Sequence, residues 1–276
     1  MKYEFIAKNE CFITELISEN LIGILKQHIK HLIRKGEIKL NGIRQKSDIL
    51  IKKGDKISAF IPASYLSSAD KLVDSIKIVH EDKNILICYK PKGMDCENNL
   101  HSIIIEKYPT AVLNHRLDRQ TDGLLIFSLN PLAYNAIYAA LKNQTIDKHY
   151  YATVKGIFNK NGTHTAFLTK NSSTSHVKIS SSQTKDSKKI VSNFKTISQK
   201  SDSLCVIEAM PITGKTHQLR AHLAFLGHPI LGDTKYGTCK KPPLCLTAFK
   251  LTFNKMPHPL EYLNGQTVKI SHITLD

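Results

Sequence analysis

The sequence contains no long apolar segment. No apolar run approaches the ~18 residues that a membrane-spanning helix needs. Charged side chains at Lys2 and Glu4 stand where a signal peptide would carry its apolar stretch. These absences predict a soluble protein with a cytoplasmic location and no membrane partner.

Motifs for binding metals and nucleotides are also missing. The six cysteines include no C-x-x-C pair, and Cys239 and Cys245 are too far apart for a usual zinc spacing. No H-E-x-x-H motif occurs, and His217 and His222 are five residues apart, which does not place them on one helix face as a zinc pair. No glycine-rich phosphate loop is present. We therefore expect reduced thiols, no metal and no nucleotide hydrolysis.

Acidic residues are few relative to basic ones. The chain has 39 Lys and Arg against 23 Asp and Glu, which gives a formal net charge of +16. A surplus of this size favours a polyanionic partner, most commonly a nucleic acid. A lysine-rich coding bias is the alternative explanation, because it produces basic proteins that bind nothing.

The length of 276 residues, with 41% apolar residues, is sufficient for two domains. In residues 10–62, apolar residues recur at helical spacing in two helices, the second of which ends at Gly36. A short strand then runs into a turn at Asn41 and Gly42. We predict a first domain at 1–65, a small polar linker at 66–75 and a second domain at 76–276. Basic residues cluster around the second helix and the turn: Lys26, Lys30, Arg34, Lys35, Lys39, Arg44 and Lys46.

The first domain resembles a known RNA-binding module. Its pattern I-x-x-L-I-R-K-G-x-I-x-L-N-G, followed by K-K-G-D-K-I, resembles the small domain named after the fourth protein of the small ribosomal subunit. The resemblance implies that Arg34, Lys35 and Arg44 contact RNA backbone, since basic side chains on one preformed surface suit phosphates. A generic helix–hairpin unit with a solvated basic face is the alternative.

The second domain alternates between strand-like and helix-like patterns. We predict strands at 76–79, 85–89, 124–128, 150–154 and 204–209, and helices near 100–107, 131–142 and 216–226. Thr216 is the predicted N-cap of the last helix and Gly227 its stop. The Ser-, Thr- and Lys-rich stretch 170–203 predicts an exposed β-ribbon with strands at 177–179 and 190–195, joined by mobile loops.

A polar loop at residues 115–121 could carry chemistry. It places Asp118 between Arg116 and Arg119 and leads directly into the apolar strand at 124–128. The strand provides a rigid base, and the neighbouring cations favour an ionised carboxylate. This arrangement suits catalysis on a phosphate-bearing substrate, but a structural ion pair is an open alternative. A metal-dependent nuclease that uses Asp118, Asp122 and His115 is another.

The same loop resembles the signature of a known enzyme family. Its sequence H-R-L-D-x-x-T-x-G-L-L resembles that of the RluA-type RNA pseudouridine synthases, in which the Asp is the essential catalytic residue. The resemblance implies that Asp118 is catalytic and that His115, Arg116 and Arg119 contact the RNA substrate. The chain departs from the pattern at Asp122, where the family usually has Ser.

Three further segments follow in the family's order. The turn at 89–93 resembles x-K-P-x-G, and by itself is assigned no catalytic role. Residues 148–156 resemble K-x-Y-x-A-x-V-x-G, which implies that Tyr150 lies against the target base, next to Lys148. Residues 214–237 resemble G-R-T-H-Q-L-R…G-H-P-I-x-G-D-x-x-Y-G, which implies that Arg220 pairs with Asp118. Lys215 stands where Arg is usual. Lys148, Lys215, His217 and Gln218 are assigned to RNA binding, and His217 and Gln218 are expected to hold the active-site helix in place rather than perform chemistry.

The resemblance implies the fold and the reaction. We expect an α+β protein in which a small helical RNA-binding domain precedes a mixed, largely antiparallel β-sheet catalytic domain. The enzyme would isomerise uridine to pseudouridine without a cofactor or metal. In this family the front domain accompanies synthases of large-subunit ribosomal RNA. A synthase of transfer RNA and a non-catalytic ribosome assembly factor are the alternatives, and we expect a monomer.

Overall fold

The computed structural model describes residues 1–21, 24, 26–62, 65, 76–170, 176–237 and 243–270. The predicted linker at 66–75 and Cys239 lie outside the described residues. The chain divides into two compact units, Met1–Ile76 with Glu97–Ile103, and Lys77–Cys96 with Ile104–Asp276. Each unit is described below by itself.

The first unit contains both predicted helices. They are α1 (Ile13–Asn20) and α2 (Lys26–Lys35), and their isoleucine and leucine side chains supply six of the fourteen buried residues of its core cluster. Gly36 follows α2 with φ +71°, and its N–H donates to the Ile33 carbonyl. This left-handed conformation ends the helix, because it turns the chain away from the helical path.

The described part of this unit is richer in strands than predicted. The strands are β1 (Lys2–Ile6), β2 (Cys11–Phe12), β3 (Ile38–Leu40), β4 (Ile43–Gln45), β5 (Leu50–Ile51) and β6 (Lys56–Phe60). Four of them form a sheet in the order β1-β6-β3-β4. Asn41 and Gly42 both have positive φ and join β3 to β4, as the predicted turn requires. The description of this domain as helical is therefore incomplete.

The second unit is built on one sheet of eleven strands, and the β-sheet character of the prediction is confirmed. The strands are β7 (Lys77–Glu81), β8 (Ile85–Lys90), β9 (Val112–Leu113), β10 (Asp122–Ser128), β11 (Ile146–Lys155), β12 (Gly162–Lys170), β13 (Val177–Ser180), β14 (Lys188–Ser201), β15 (Leu204–Pro211), β16 (Leu246–Phe253) and β17 (Thr267–Lys269). The main path runs β13-β12-β14-β15-β11-β16-β10-β8-β7, while β17 pairs with β16 and β9 with β10. Within the described residues, β10 and β16 form the one parallel pair.

Few helices accompany this sheet in the described residues. The π-helix (Cys96–Leu100) and α3 (His101–Lys107) include the segment 97–103, which belongs to the first unit, whereas α4 (Pro131–Lys142), α5 (Gln218–Phe225) and a 3-10 turn (Glu261–Leu263) lie wholly in the second unit. None of the described helices is long and apolar enough to cross a membrane. Helix α4 has the predicted bounds: Asn130 accepts the Ala133 N–H at 2.9 Å as N-cap, and Pro131 occupies the first turn.

The core of the second unit lies around the centre of the sheet. All seven residues of β10 are buried, which fits a strand flanked by β8 and β16. Small and branched side chains of α4, Ala133, Ala136, Ile137 and Ala140, pack in one cluster with residues of β8, β10 and β16. The strands predicted at 177–179 and 190–195 are also present, and β12 to β14 extend the sheet at one end.

Candidate active site

A cleft of about 580 Å³ opens in the second unit. Three segments supply most of its lining: the loop before β10, the middle of β11, and the connection from β15 into α5. The lining includes His115, Arg116, Leu117, Asp118, Thr121, Lys148, Tyr150, residues 211–220 and Leu246. The three residues expected to act in catalysis, Asp118, Tyr150 and Arg220, are thus brought to one cavity by distant parts of the chain.

The Asp118 loop is anchored by the strand that follows it. A turn forms where the Thr121 N–H donates to the Asp118 carbonyl at 2.9 Å. Gly123, one residue into β10, has φ +126°, and a Cβ there would lie 2.2 Å from the Ala248 carbonyl oxygen. Only glycine permits this approach of β10 to β16, so it fixes the strand from which the loop leaves.

Arg220 connects the Asp118 loop to α5. Its Nη1 donates to Asp118 Oδ2 at 2.8 Å, while Nε and Nη2 donate to the two carboxylate oxygens of Asp233 at 2.8 and 2.9 Å. Burial favours a lower pKa for Arg220, but the hydrogen bonds to Asp233 and Asp118 outweigh it and hold that pKa above its usual range. One guanidinium therefore pairs with two carboxylates, a geometry that its planar fork allows.

Asp233 was not recognised as a site residue from the sequence, although it lies within the quoted 214–237 motif. Its side chain is fully buried. Beyond Arg220, it accepts the N–H groups of Lys235 at 2.8 Å and Tyr236 at 3.0 Å. Burial favours a raised pKa, and these hydrogen bonds reverse that effect, so the pKa of Asp233 is lowered. The Gly232-Asp233 dipeptide in the motif was the available signal.

Aromatic and imidazole groups border the carboxylate. Tyr150 on β11 is buried, and burial with the nearby Asp118 charge raises its pKa. His217 Nε2 lies 3.7 Å from Asp118 Oδ1, and its Nδ1 is 2.8 Å from the Tyr236 hydroxyl. The face of Tyr236 in turn lies 5.4 Å from the Arg220 guanidinium carbon. Asp118 is thus held between a cation and a ring while its side chain stays 24% exposed to the cleft.

The turn at 89–93 contributes more than the sequence indicated. Lys90 is completely buried, and its Nζ donates to the carbonyls of Pro91, Met94 and Arg119 at 3.0, 3.0 and 3.3 Å. Burial lowers the pKa of Lys90 to about 8, with Cys96, Asp122 and Asp118 opposing the shift. The lysine therefore ties this turn to the residue that follows Asp118, and the Gly93 N–H adds a bond to the same Arg119 carbonyl at 2.8 Å.

Asp122, at the position where the family usually has Ser, is not among the residues that line the cleft. Its carboxylate accepts the Tyr89 hydroxyl at 2.7 Å and the Thr247 hydroxyl at 2.8 Å, and Lys92 Nζ lies 3.7 Å away. These contacts link β8, β10 and β16 at the start of β10. Asp122, in place of the family's Ser, thus adds buried hydrogen bonds between strands at the point where the Asp118 loop joins β10.

The other predicted contact residues divide into two groups. Arg116, Lys148 and Lys215 line the cleft, and burial lowers the pKa of Lys148. His115 lines it too, but its Nε2 accepts the Ile126 N–H at 3.2 Å, and burial lowers its pKa to about 3. Arg119 is outside the lining residues, and its Nε donates to the Gly93 carbonyl at 2.8 Å.

The start of α5 differs from the prediction. His217 in the left-handed conformation is the N-cap, and the helix begins at Gln218, so the assignment of Thr216 as N-cap is wrong. The side chain of Gln218 explains the difference, because its Oε1 accepts the Lys215 N–H at 3.1 Å and the Thr213 hydroxyl at 2.8 Å. Its Nε2 donates to the Val191 carbonyl at 2.9 Å. Gln218 therefore holds the helix start against β14.

The predicted RNA contacts of the first unit lie on its surface. Arg34 and Lys35 are exposed in the last turn of α2, and Arg44 is exposed on β4. The Arg44 side chain passes near Gly36, because a Cβ at Gly36 would lie 3.7 Å from Arg44 Cδ. Of these three residues, Arg34 lines a hollow of about 310 Å³ together with Lys30, Ile33, Lys46, Ser47 and Asp48.

Comparison with known proteins assigns the chain to a family. The model of the RNA pseudouridylate synthase family matches residues 84–225, which carry the Asp118 loop, Tyr150 and Arg220. The chain belongs to this family. The ribosomal large subunit pseudouridine synthase C of Vibrio cholerae is 30% identical to this chain over 247 residues, which cover 82% of this chain and 76% of the relative. The protein of that name from Vibrio parahaemolyticus is 31% identical, with the same coverage.

Solved structures share the fold of the synthase. The human RNA pseudouridylate synthase domain containing 1 superposes with a TM-score of 0.62 at 25% identity, covering 73% of this chain and 84% of that one. The human RNA pseudouridylate synthase domain containing 4 superposes with a TM-score of 0.57 at 21% identity, covering 70% of this chain and 92% of that one. Membership of the family assigns RNA pseudouridine synthesis to the chain, which disfavours the nuclease alternative. In the described residues of the synthase, no three His, Cys, Asp or Glu side chains form a potential metal site.

Proposed function

We propose that the synthase isomerises uridine in large-subunit ribosomal RNA, with Asp118 as the catalytic carboxylate and without a cofactor. The contact that carries the proposal is the 2.8 Å hydrogen bond from Arg220 Nη1 to Asp118 Oδ2 in a cleft that Tyr150 also lines. A carboxylate that is fixed on one side and open on the other suits chemistry on a bound nucleotide.

The reaction needs few protein groups. The bond between uracil N1 and ribose C1′ breaks, the base rotates, a bond forms between C5 and C1′, the C5 proton leaves to solvent, and N1 takes up a proton. Asp118 would act either by attacking to form a covalent adduct or by removing a ribose proton on the way to a glycal. Tyr150 would abut the uracil, and the lysines of the lining would contact flanking phosphates.

The RNA target is proposed on two grounds. The relatives from the two Vibrio species are named as synthases of the ribosomal large subunit. The first unit supplies an exposed basic surface with Arg34, Lys35 and Arg44, on a helix pair and hairpin that resemble the ribosomal-protein domain. We assign residues 1–65 to RNA binding and 76–276 to catalysis.

The test follows release of tritium from carbon 5 of uridine in unmodified transcripts. Wild type and Asp118→Asn are compared on large-subunit ribosomal RNA and on transfer RNA, with and without EDTA. We expect release by wild type from ribosomal RNA in both buffers, and a loss of at least about a thousandfold in Asp118→Asn, since the nucleophile or base is removed.

Each part of the proposal can fail separately. Release from transfer RNA alone would overturn the assigned target. Release abolished by EDTA would overturn the absence of a metal. Near wild-type release by Asp118→Asn, with RNA binding intact in both proteins, would overturn the catalytic assignment.

A further inference from the structure

Two tyrosines form an exposed aromatic pair on α4. Tyr134 and Tyr138 are 38% and 60% exposed, although the buried side of the same helix packs into the core. Their rings are stacked, with centroids 6.3 Å apart and an interplanar angle of 21°. Exposed aromatic side chains that are already ordered against one another are suited to contact a further flat ring.

The pair is continuous with the active-site cleft. Leu141 and Lys142 follow Tyr138 by three and four residues, so helical geometry places them next to it on the same side of α4. Both residues line the cleft, as does Gln144 just beyond the helix end. Tyr134, Tyr138 and Lys142 therefore form a line along α4 that leads into the cavity containing Asp118.

The side chains of Tyr134, Tyr138 and Lys142 are suited to bind unpaired nucleotides. Aromatic faces stack on bases of any sequence, and a neighbouring lysine can pair with a phosphate. A uridine must leave its helix to reach Asp118, which exposes the faces of the adjacent bases. The net charge of +16 favours an anionic occupant over an apolar protein surface.

We propose that Tyr134 and Tyr138 form a stacking surface for the nucleotides that flank the target uridine. The inference rests on the RNA substrate of the family and not on a particular ribosomal target. Tyr138, nearest the cleft, would take the first flanking base, and Tyr134 would extend the stack.

The chain provides its own optical test, because it contains no tryptophan. Tyr138→Trp creates a single tryptophan that can be excited selectively over the tyrosines, and we expect its fluorescence to be quenched when the unmodified RNA transcript that wild type modifies is added. The matched control is Leu132→Trp, since Leu132 is 62% exposed on the same helix but lies about 160° around the axis from Tyr134. Its fluorescence should not respond.

The kinetic test separates binding from chemistry. Tyr138→Ala should raise KM roughly tenfold with kcat unchanged, because stacking holds the RNA and not the reacting atoms. Tyr138→Phe should behave as wild type, since it keeps the ring, and Leu132→Ala should leave KM unchanged. Alanine is a good helix former, so the exposed substitution preserves α4.

Both readouts are required. An unchanged KM in Tyr138→Ala, or equal quenching at positions 132 and 138, overturns the proposal. A wild-type dimer that Tyr138→Ala dissociates, measured by sedimentation, also overturns it in favour of contact between two copies. Failure of wild type to release tritium from any RNA would instead count against the proposed function, so the two failures remain distinct.

Discussion

Arg220 divides its charge between a carboxylate that is completely buried and one that is open to the cleft. Nε and Nη2 of Arg220 donate hydrogen bonds to Asp233, and the third nitrogen, Nη1, donates one to Asp118. Because Asp233 is itself fixed by two backbone N–H groups, the position of Asp118 follows from α5 and the residues after it. Asp233 is thus a positioning residue for Asp118, the carboxylate that we propose to be catalytic.

Asp233→Asn should lower kcat and stability together. The amide offers one acceptor in place of two and removes the charge that balances Arg220, and breaking a buried ion pair costs about 3 kcal/mol or more. We expect kcat to fall by roughly 10- to 100-fold, since Arg220 can then turn toward Asp118 or away from it. Tritium release under saturating RNA measures the first effect, and urea unfolding measures the second.

Asp82→Asn is the matched control at the residue scale. Asp82 is a partly buried carboxylate that likewise accepts several hydrogen bonds, from the N–H groups of Asn84 and Ile85 and from the Tyr262 hydroxyl, but it is not among the residues that line the cleft. It should lose stability with kcat retained. Equal loss of kcat in both variants would mean that Asp233 acts only through general stability.

Helix α5 depends on a neutral histidine. His222 is buried, with its Nδ1 3.1 Å from the Ser192 hydroxyl. Burial, aided by His164, lowers the pKa of His222 from 6.5 to about 4. Its contribution to stability is therefore complete above pH 6.5 and is lost as the pH falls to about 4, because the unfolded chain takes up the proton first.

His222→Asn should flatten this acid sensitivity. The asparagine amide can still reach Ser192 but does not titrate, so the free energy of unfolding should fall less between pH 6.5 and 4. The difference in free energy of unfolding between wild type and His222→Asn should change by up to about 3 kcal/mol between pH 6.5 and 4. Urea titrations at several pH values measure it, and parallel curves would show that His222 is not the titrating group. His115 affects both proteins alike and does not enter the difference.

Elements with local signals could be predicted from the sequence, and pairings over long distances could not. Pro131 with its periodic alanines, and the Asn41-Gly42 turn, are encoded by neighbouring residues, so their bounds were predicted correctly. The start of α5 depends on the Gln218 side chain reaching Thr213, which helical periodicity does not show. The neighbours of β10 and the burial of Lys90 arise from strands distant in sequence, and no local pattern reveals them.

The same limit applies to the candidate site. Asp118, Tyr150 and Arg220 were identified through motifs, and the structure places all three at one cleft. The hydrogen bonds of Asp233 to Arg220, and those that Asp122 accepts, could be seen only in the structure. Each of them joins residues more than ten positions apart in the sequence.

Across the whole molecule, the surplus of positive charge could act through net charge or through particular surfaces. The exposed residues Arg34, Lys35 and Arg44 gather near the end of α2, while Lys8, Lys52 and Lys53 are equally exposed in the same unit. Two triple variants to Gln, one of each set, therefore remove the same charge from different places.

RNA binding should depend steeply on salt in the wild type. The dependence should be less steep in the variant that lacks Arg34, Lys35 and Arg44, and unchanged in the variant that lacks Lys8, Lys52 and Lys53. Each phosphate contact adds about 0.7 to 0.9 to the slope of log K against log salt, because a counterion is released. Loss of Arg34, Lys35 and Arg44 should reduce the slope by about 2, with the single-turnover rate at saturating RNA unchanged. Filter binding of ribosomal RNA transcripts at increasing salt measures both slopes. Equal reductions in the two variants would mean that net charge, and not the surface at the end of α2, attracts the RNA.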